Sequence, residues 1–112
     1  MEFNEVIKEL SKKYEVLPKA NNFAEIVVNK AFNTLNYYFL AIKQEELSVF
    51  ITDCANTLEC LNLSPEQVNN ILNCHPTAIL DDETIIMPYK NENSVAEFIQ
   101  ILDQIANYAH KQ

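Results

Sequence analysis

The side chains that come nearest to a catalytic or metal-binding set are four carboxylates. They are one isolated aspartate and an acidic run, Asp53, Asp81, Asp82 and Glu83. Carboxylate oxygens bind divalent cations, so a metal-dependent hydrolase using Asp53 with Asp81 or Asp82 is one hypothesis. A metal nuclease also needs a basic side chain near the carboxylates to stabilise the charge that develops on the phosphate. The nearest lysines along the chain, Lys43 and Lys90, have no motif spacing.

The same carboxylates have a simpler interpretation. Asp side chains accept hydrogen bonds from nearby backbone N–H groups and thereby stabilise turns. We expect Asp53 to cap its own turn and Asp81 and Asp82 to form a tight hairpin turn. The sequence therefore predicts no catalytic residue and no bound metal.

Cysteine and histidine offer a second possible site, a zinc site or a Cys–His nucleophile pair. Three cysteines and one adjacent histidine are involved: Cys54, Cys60, Cys74 and His75. Their spacing matches no common zinc pattern, and the neighbours Cys74 and His75 should point apart at a helix end. The first residues lack the basic start and apolar core of a signal peptide. We therefore expect no cofactor, and reduced thiols in the cytoplasm.

Three residue types, Gly, Arg and Trp, are missing, and the absence of the first two excludes classes of function. Without Gly the chain cannot form the phosphate-binding loops of nucleotide enzymes. Without Arg it lacks the preferred residue for bidentate recognition of phosphates and bases. Asparagine should therefore occupy some of the backbone positions with positive φ that glycine usually fills. The candidates are Asn21, Asn22, Asn36, Asn62 and Asn91.

Charge is unevenly distributed along the 112 residues. The net charge is −8, made of +1 over residues 1–43 and −9 over residues 44–112. This pattern disfavours nucleic acid and anionic membrane as partners and suits a basic protein. The candidate partner-binding residues are the acidic side chains of the second part: Glu45, Glu46, Glu59, Asp81, Asp82, Glu83 and Glu92.

Apolar periodicity and turn residues divide the first half of the chain. Helical spacing predicts a helix over 2–14, followed by a break at Pro18 and Asn21–Asn22. A strand is predicted over 23–28, then a hairpin with strands at 37–43 and 48–53. Both hairpin strands are apolar on both faces, which predicts central strands covered on both sides.

The second half contains two helix-start signals. Residues 53–63 allow a short helix, and a capping box from Ser64 to Gln67 opens a helix that runs to about residue 74. A hairpin follows at 78–80 and 84–87, ended by Pro88. A second capping box, Ser94 to Glu97, opens a helix over 95–110. The order predicts a single α+β domain over 1–112, with a mostly antiparallel sheet of about five strands.

One segment resembles a known family. From Ala24 to Tyr108 the element order resembles the bacterial and phage domain of unknown function 1828, whose motif reads like L-T-D-D-G-x-T-x-x-x-L. Here the segment from Ile51 to Leu61 keeps Thr52, Asp53, Thr57 and Leu61 of that motif. Its Asp-Gly pair is replaced by Cys-Ala, and Ala adopts a Gly-type turn less readily. The resemblance implies an intracellular accessory protein and assigns no catalytic residues.

These observations favour an acidic protein-binding module over an enzyme. Surplus apolar surface on the sheet or the last helix would permit a homodimer. A narrower hypothesis is a bacterial or phage inhibitor that occupies the basic nucleic-acid-binding groove of a host defence protein. The alternatives are the metal-dependent hydrolase and an antitoxin or immunity protein.

Overall fold

The structure, a computed structural model, describes residues 2–111, which form four helices and six strands. In chain order the elements are α1 (Phe3–Leu10), β1 (Glu15–Ala20), β2 (Phe23–Val27), β3 (Leu40–Glu45), β4 (Ser48–Thr52), α2 (Asn56–Leu61), α3 (Pro65–Leu72), β5 (Ile79–Asp81), β6 (Thr84–Pro88) and α4 (Ser94–His110). The α+β class is confirmed, with one strand more than predicted.

All six strands join a single antiparallel sheet in the order β1-β2-β3-β4-β6-β5. Two-residue turns connect β1 to β2, β3 to β4, and β5 to β6. The chain leaves the sheet after β4, forms α2 and α3, and returns so that β6 pairs with β4. The edges of the sheet are therefore β1 and β5.

The hydrophobic core lies on one face of this sheet. Inward-facing strand residues share a cluster with apolar side chains of all four helices. The strand members include Ala24, Ile26, Leu40, Ile42, Ile51, Ile85 and Met87. The longest helix, α4, supplies the buried side chains Val95, Phe98, Ile101, Leu102, Ile105 and Ala106. The prediction of strands covered on both sides is wrong, because the helices all pack on the same face.

The N-terminal segment contains the missed strand. Helix α1 ends at Leu10 rather than residue 14, and β1 begins at Glu15. We interpreted Pro18 as a break, but it lies inside β1, where the register shifts between Pro18 and Ala20. Proline lacks an N–H and is tolerated on an edge strand or at a bulge, and β1 is such a strand. The break at Asn21–Asn22 is the turn between β1 and β2.

The two predicted capping boxes have different outcomes. Ser64 and Gln67 form the reciprocal pair at the start of α3, with Pro65 in the first turn. At α4 the N-cap is Asn93, so the predicted capping box is wrong. The Ser94 hydroxyl instead accepts hydrogen bonds from the Lys90 and Asn91 amides and so fixes the loop before the helix.

Backbone positions with positive φ fall mostly on residues other than asparagine. Of the five asparagines proposed for this role, Asn62 alone adopts it, at the end of α2. Glu46 and Asp82 adopt it in their hairpin turns. The Cys54–Ala55 pair, where the resembled family has Asp-Gly, has φ values of 52° and 66°. Alanine therefore adopts the turn after all, at a steric cost of about 1 kcal/mol.

Replacing Ala55 by Gly should relieve this cost. We expect Ala55→Gly to raise the free energy of unfolding by about 1 kcal/mol, measured by denaturant titration. The matched control is Ala96→Gly, at an exposed position in α4. It should lower stability by about 1 kcal/mol, because glycine is a poor helix former. Destabilisation by both substitutions would contradict a strained left-handed turn at Ala55.

Candidate functional site

The sheet face opposite the helices is not covered by any helix of the described residues, and we call it the open face. Its apolar members follow from strand alternation and register: Leu17, Phe23, Val27, Ala41, Phe50, Ile79 and Ile86. Its charged members are Glu15, Glu25, Lys43, Glu45 and Asp81. These apolar side chains lie outside the hydrophobic cluster that the helices cover. The open face therefore combines an apolar centre with mostly acidic charges.

Phe50 and Ile86 form a ridge on the open face between two cavities. One cavity, of ≈ 520 Å³, extends towards Ile79 and the loop at Pro76 and Thr77. The other, of ≈ 380 Å³, contains more polar side chains, among them Thr52, Lys43, Glu45 and Asp81. Phe50 and Ile86 line both. Side chains of a partner can pack over this ridge and into the two cavities beside it.

The seven candidate acidic residues do not form one patch. Glu45 and Glu46 lie at the β3–β4 turn. The Asp81–Glu83 run lies at the β5–β6 turn, at the opposite end of the strands. Glu59 of α2 shares a small cavity with Glu83. Glu92 lies elsewhere, 3.8 Å from the Lys13 amine.

Two of the seven acidic residues, Glu45 and Asp81, line the same cavity on the open face. Glu45 is partly neutralised by the Lys43 amine, at 3.0 Å. The structure thus associates Glu45 and Asp81 with the apolar ridge. Glu46 lines a third cavity with Phe50 at the β3–β4 turn, and the other four line none of these three cavities.

Asp53 is fully buried where β4 ends, and its contacts are to backbone amides. Oδ1 accepts hydrogen bonds from the amides of Ala55 at 3.1 Å and Ile85 at 2.9 Å. Oδ2 accepts from the Thr57 amide at 3.1 Å. The predicted turn-capping role is confirmed, and it extends to β6 through Ile85. Both carboxylate oxygens accept hydrogen bonds from the backbone inside the fold, so the Asp53 carboxylate is not directed at a metal ion on the surface.

Burial raises the pKa of Asp53, and the amide hydrogen bonds together with the Thr57 side chain oppose that shift without cancelling it. The Thr57 hydroxyl is itself buried, and within residues 2–111 it makes no hydrogen bond of good geometry. A hydroxyl beside a buried carboxylate still contributes a favourable dipole. The Asp53 site is therefore a structural polar cluster.

The hydrolase hypothesis required Asp53 to act with Asp81 or Asp82. Asp81 and Asp82 are exposed, whereas Asp53 is buried. Over the described part of the chain, no group of three or more His, Cys, Asp and Glu side chains is arranged to hold a metal ion. The geometry gives Asp53 a structural use and does not favour the hydrolase.

All three cysteines are free thiols, two exposed and one half-buried. Burial raises the pKa values of Cys54 and Cys60. A raised thiol pKa lowers the fraction of nucleophilic thiolate at neutral pH. His75 hydrogen bonds to Gln104 on α4, at 2.7 Å. These contacts do not combine cysteine and histidine into a nucleophile pair.

Comparison of the chain with family models, curated proteins and solved structures finds no match. The resemblance to the domain of unknown function 1828 therefore stays a prediction. Within residues 2–111, no helix has the length and apolar composition needed to cross a membrane.

The sequence predicted surplus apolar surface on the sheet or the last helix, but it did not identify the open face or the residues that form it. The signal was present as apolar residues on both sides of the hairpin strands, which we interpreted as coverage by two layers. Apolar strand positions do not state whether helices or a partner cover them. Phe50 belongs to one of these hairpin strands, and its position outside the hydrophobic cluster favours an interface over the core.

Asn replacing Asp53 should weaken the junction between β4, α2 and β6. We expect Asp53→Asn to lower the free energy of unfolding by about 1–3 kcal/mol, because the new NH₂ group would face a backbone donor. Denaturant titration at neutral pH measures the loss. The matched control is Asp82→Asn, since Asn also tolerates positive φ and Asp82 is exposed. If wild type, Asp53→Asn and Asp82→Asn were equally stable, the Asp53 carboxylate would not stabilise this junction.

The raised pKa of Asp53 also predicts a pH dependence. Ionisation of a group whose pKa is higher in the folded protein opposes folding. The stability difference between wild type and Asp53→Asn should therefore be full below the unfolded pKa, ~3.9. It should shrink as pH rises through the folded-state pKa. Denaturant titrations of both proteins from below the unfolded pKa up to neutral pH would measure this decrease. A stability difference that grows with pH would contradict a raised pKa of Asp53.

Proposed function

We propose that the chain is an acidic protein-binding module that recognises a basic partner through the open face. The observation that carries this proposal is the position of Phe50 and Ile86, which lie half-buried between two cavities on the face away from the helices. An apolar patch with a polar rim is typical of a protein-binding surface.

Charge supports a basic partner. The net charge is −8, and four of the five charged strand residues on the open face are acidic. Complementary charge speeds the encounter of two proteins and penalises partners of the same sign. A partner surface rich in lysine or arginine therefore fits this face better than an acidic or neutral one.

The narrower form of the proposal is a bacterial or phage inhibitor that occupies a basic nucleic-acid-binding groove of a host defence protein. An antitoxin or immunity protein would use the same surface against a different partner. Both forms predict competition between this chain and whatever normally fills the basic surface. The identity of the captured protein distinguishes them.

The proposal predicts a partner that depends on both salt and the ridge. Wild type immobilised on a resin should capture a protein from a bacterial lysate, and the purified complex should weaken at least ~tenfold between about 0.05 and 0.5 M salt. Phe50→Lys should lose the capture. Leu35→Lys adds the same charge at a residue 85% exposed, outside the open face, and should retain it.

Circular dichroism would verify that each variant is folded, and Phe50→Ala serves as a second variant without added charge. If the affinity of the complex did not change with salt concentration, recognition of the partner by charge would be refuted. Capture that is equal for wild type and both Phe50 variants would refute the open face as the binding surface.

A further inference from the structure

The apolar ridge, the acidic borders and the blunted edges of the sheet together specify the kind of segment that the open face can accept. We infer that it binds a basic amphipathic helix of the partner protein, which rests on the proposed function and gives its partner a structural class. The alternatives are an added β-strand and a second copy of this chain. Edge geometry, face area and charge distinguish these three occupants.

Neither sheet edge suits an added strand. On β1, Pro18 removes a backbone donor, and the register shift at Pro18 and Ala20 interrupts regular pairing. At the other edge, β5 has only three residues. Strand addition needs a row of free N–H and C=O groups, and proline, bulges and short strands remove it.

The surface relief suits a helix. Helices already cover the other face of the sheet, which is the usual way for a sheet to bury an apolar face. On the open face, the small buried residues Ala41 and Thr52 form a floor beside the larger side chains of Phe50 and Ile86. A helix about 10 Å wide can place its apolar stripe over this ridge and into the cavities beside it.

The area of the open face is small for a dimer. Six strands about 4.8 Å apart and about five residues long cover roughly 400 Å². A stable interface usually buries about 800 Å² on each partner. One helix of about 14 residues is roughly 21 Å long, close to the width of the sheet. The face therefore fits a single helix better than an isologous second copy.

Three of the four acidic charges on the open face lie at the ends of the strands, and the fourth, Glu25, lies in the middle of β2. Glu45 lies at one end, while Glu15 and Asp81 lie at the other. Four carboxylates and Lys43 leave three net negative charges on the strand residues, or two when Lys90 beside the larger cavity is counted. A second copy would oppose like charges, whereas lysines on both flanks of an apolar stripe would face carboxylates.

The test uses the full chain and a synthetic peptide of about 14 residues, with leucines on one helical face and lysines on both flanks. Amide chemical shifts should change at Phe23, Phe50 and Ile86, and the peptide should gain helicity. Phe50→Lys should weaken binding at least ~tenfold, while Leu35→Lys should not. A peptide with glutamates for lysines, and one with the same leucines and lysines scrambled, should bind much more weakly.

Two results would overturn the helix inference while leaving the proposed function intact. One is a Phe50-dependent native complex in which the partner's contacting segment is extended. The other is equal binding of the scrambled peptide, which would indicate charge alone. A dimer of wild type in light scattering that Phe50→Lys disrupts would assign the face to a second copy. Independence of both the native partner and the peptide from Phe50 would refute the inference and the proposed function together.

Discussion

The arrangement of the sheet and the helices depends on the hydrogen bonds that the buried Asp53 carboxylate accepts. This carboxylate accepts hydrogen bonds from three backbone amides, which belong to the turn after β4, the start of α2 and the start of β6. Two of these amides are local, whereas Ile85 follows Asp53 by 32 residues. A buried acceptor that satisfies three donors fixes where the chain leaves the sheet and where it returns, because each unpaired buried donor would cost about 1–3 kcal/mol.

The route set by Asp53 has a consequence for the rest of the molecule. The Cys54–Ala55 turn directs the chain out of the sheet and into α2, at the cost of two left-handed residues without glycine. Helices α2 and α3 then join α1 and α4 on one face, where they share a hydrophobic cluster. The apolar residues of the other face remain available, so the fold and the proposed binding surface have the same origin.

Much of the fold could be predicted because its signals are local. The capping box at Ser64, the acidic turn before β6 and the apolar stripe of α4 each depend on residues a few positions apart. The capping box at Ser94 was wrong, because the Ser94 hydroxyl found donors in the preceding loop. Strand β1 was missed, because Pro18 indicates a break unless the strand is known to be an edge.

By itself, the sequence determined the class of the fold, its strong negative charge, and the exclusion of glycine-dependent phosphate loops, since these follow from composition and short-range pattern. The tertiary structure alone decided that Asp53 binds an amide of β6, and that Phe50 and Ile86 meet on a face away from the helices. Both facts depend on contacts between residues more than thirty positions apart. Periodicity along a strand gives two faces, and only packing decides which of them is covered.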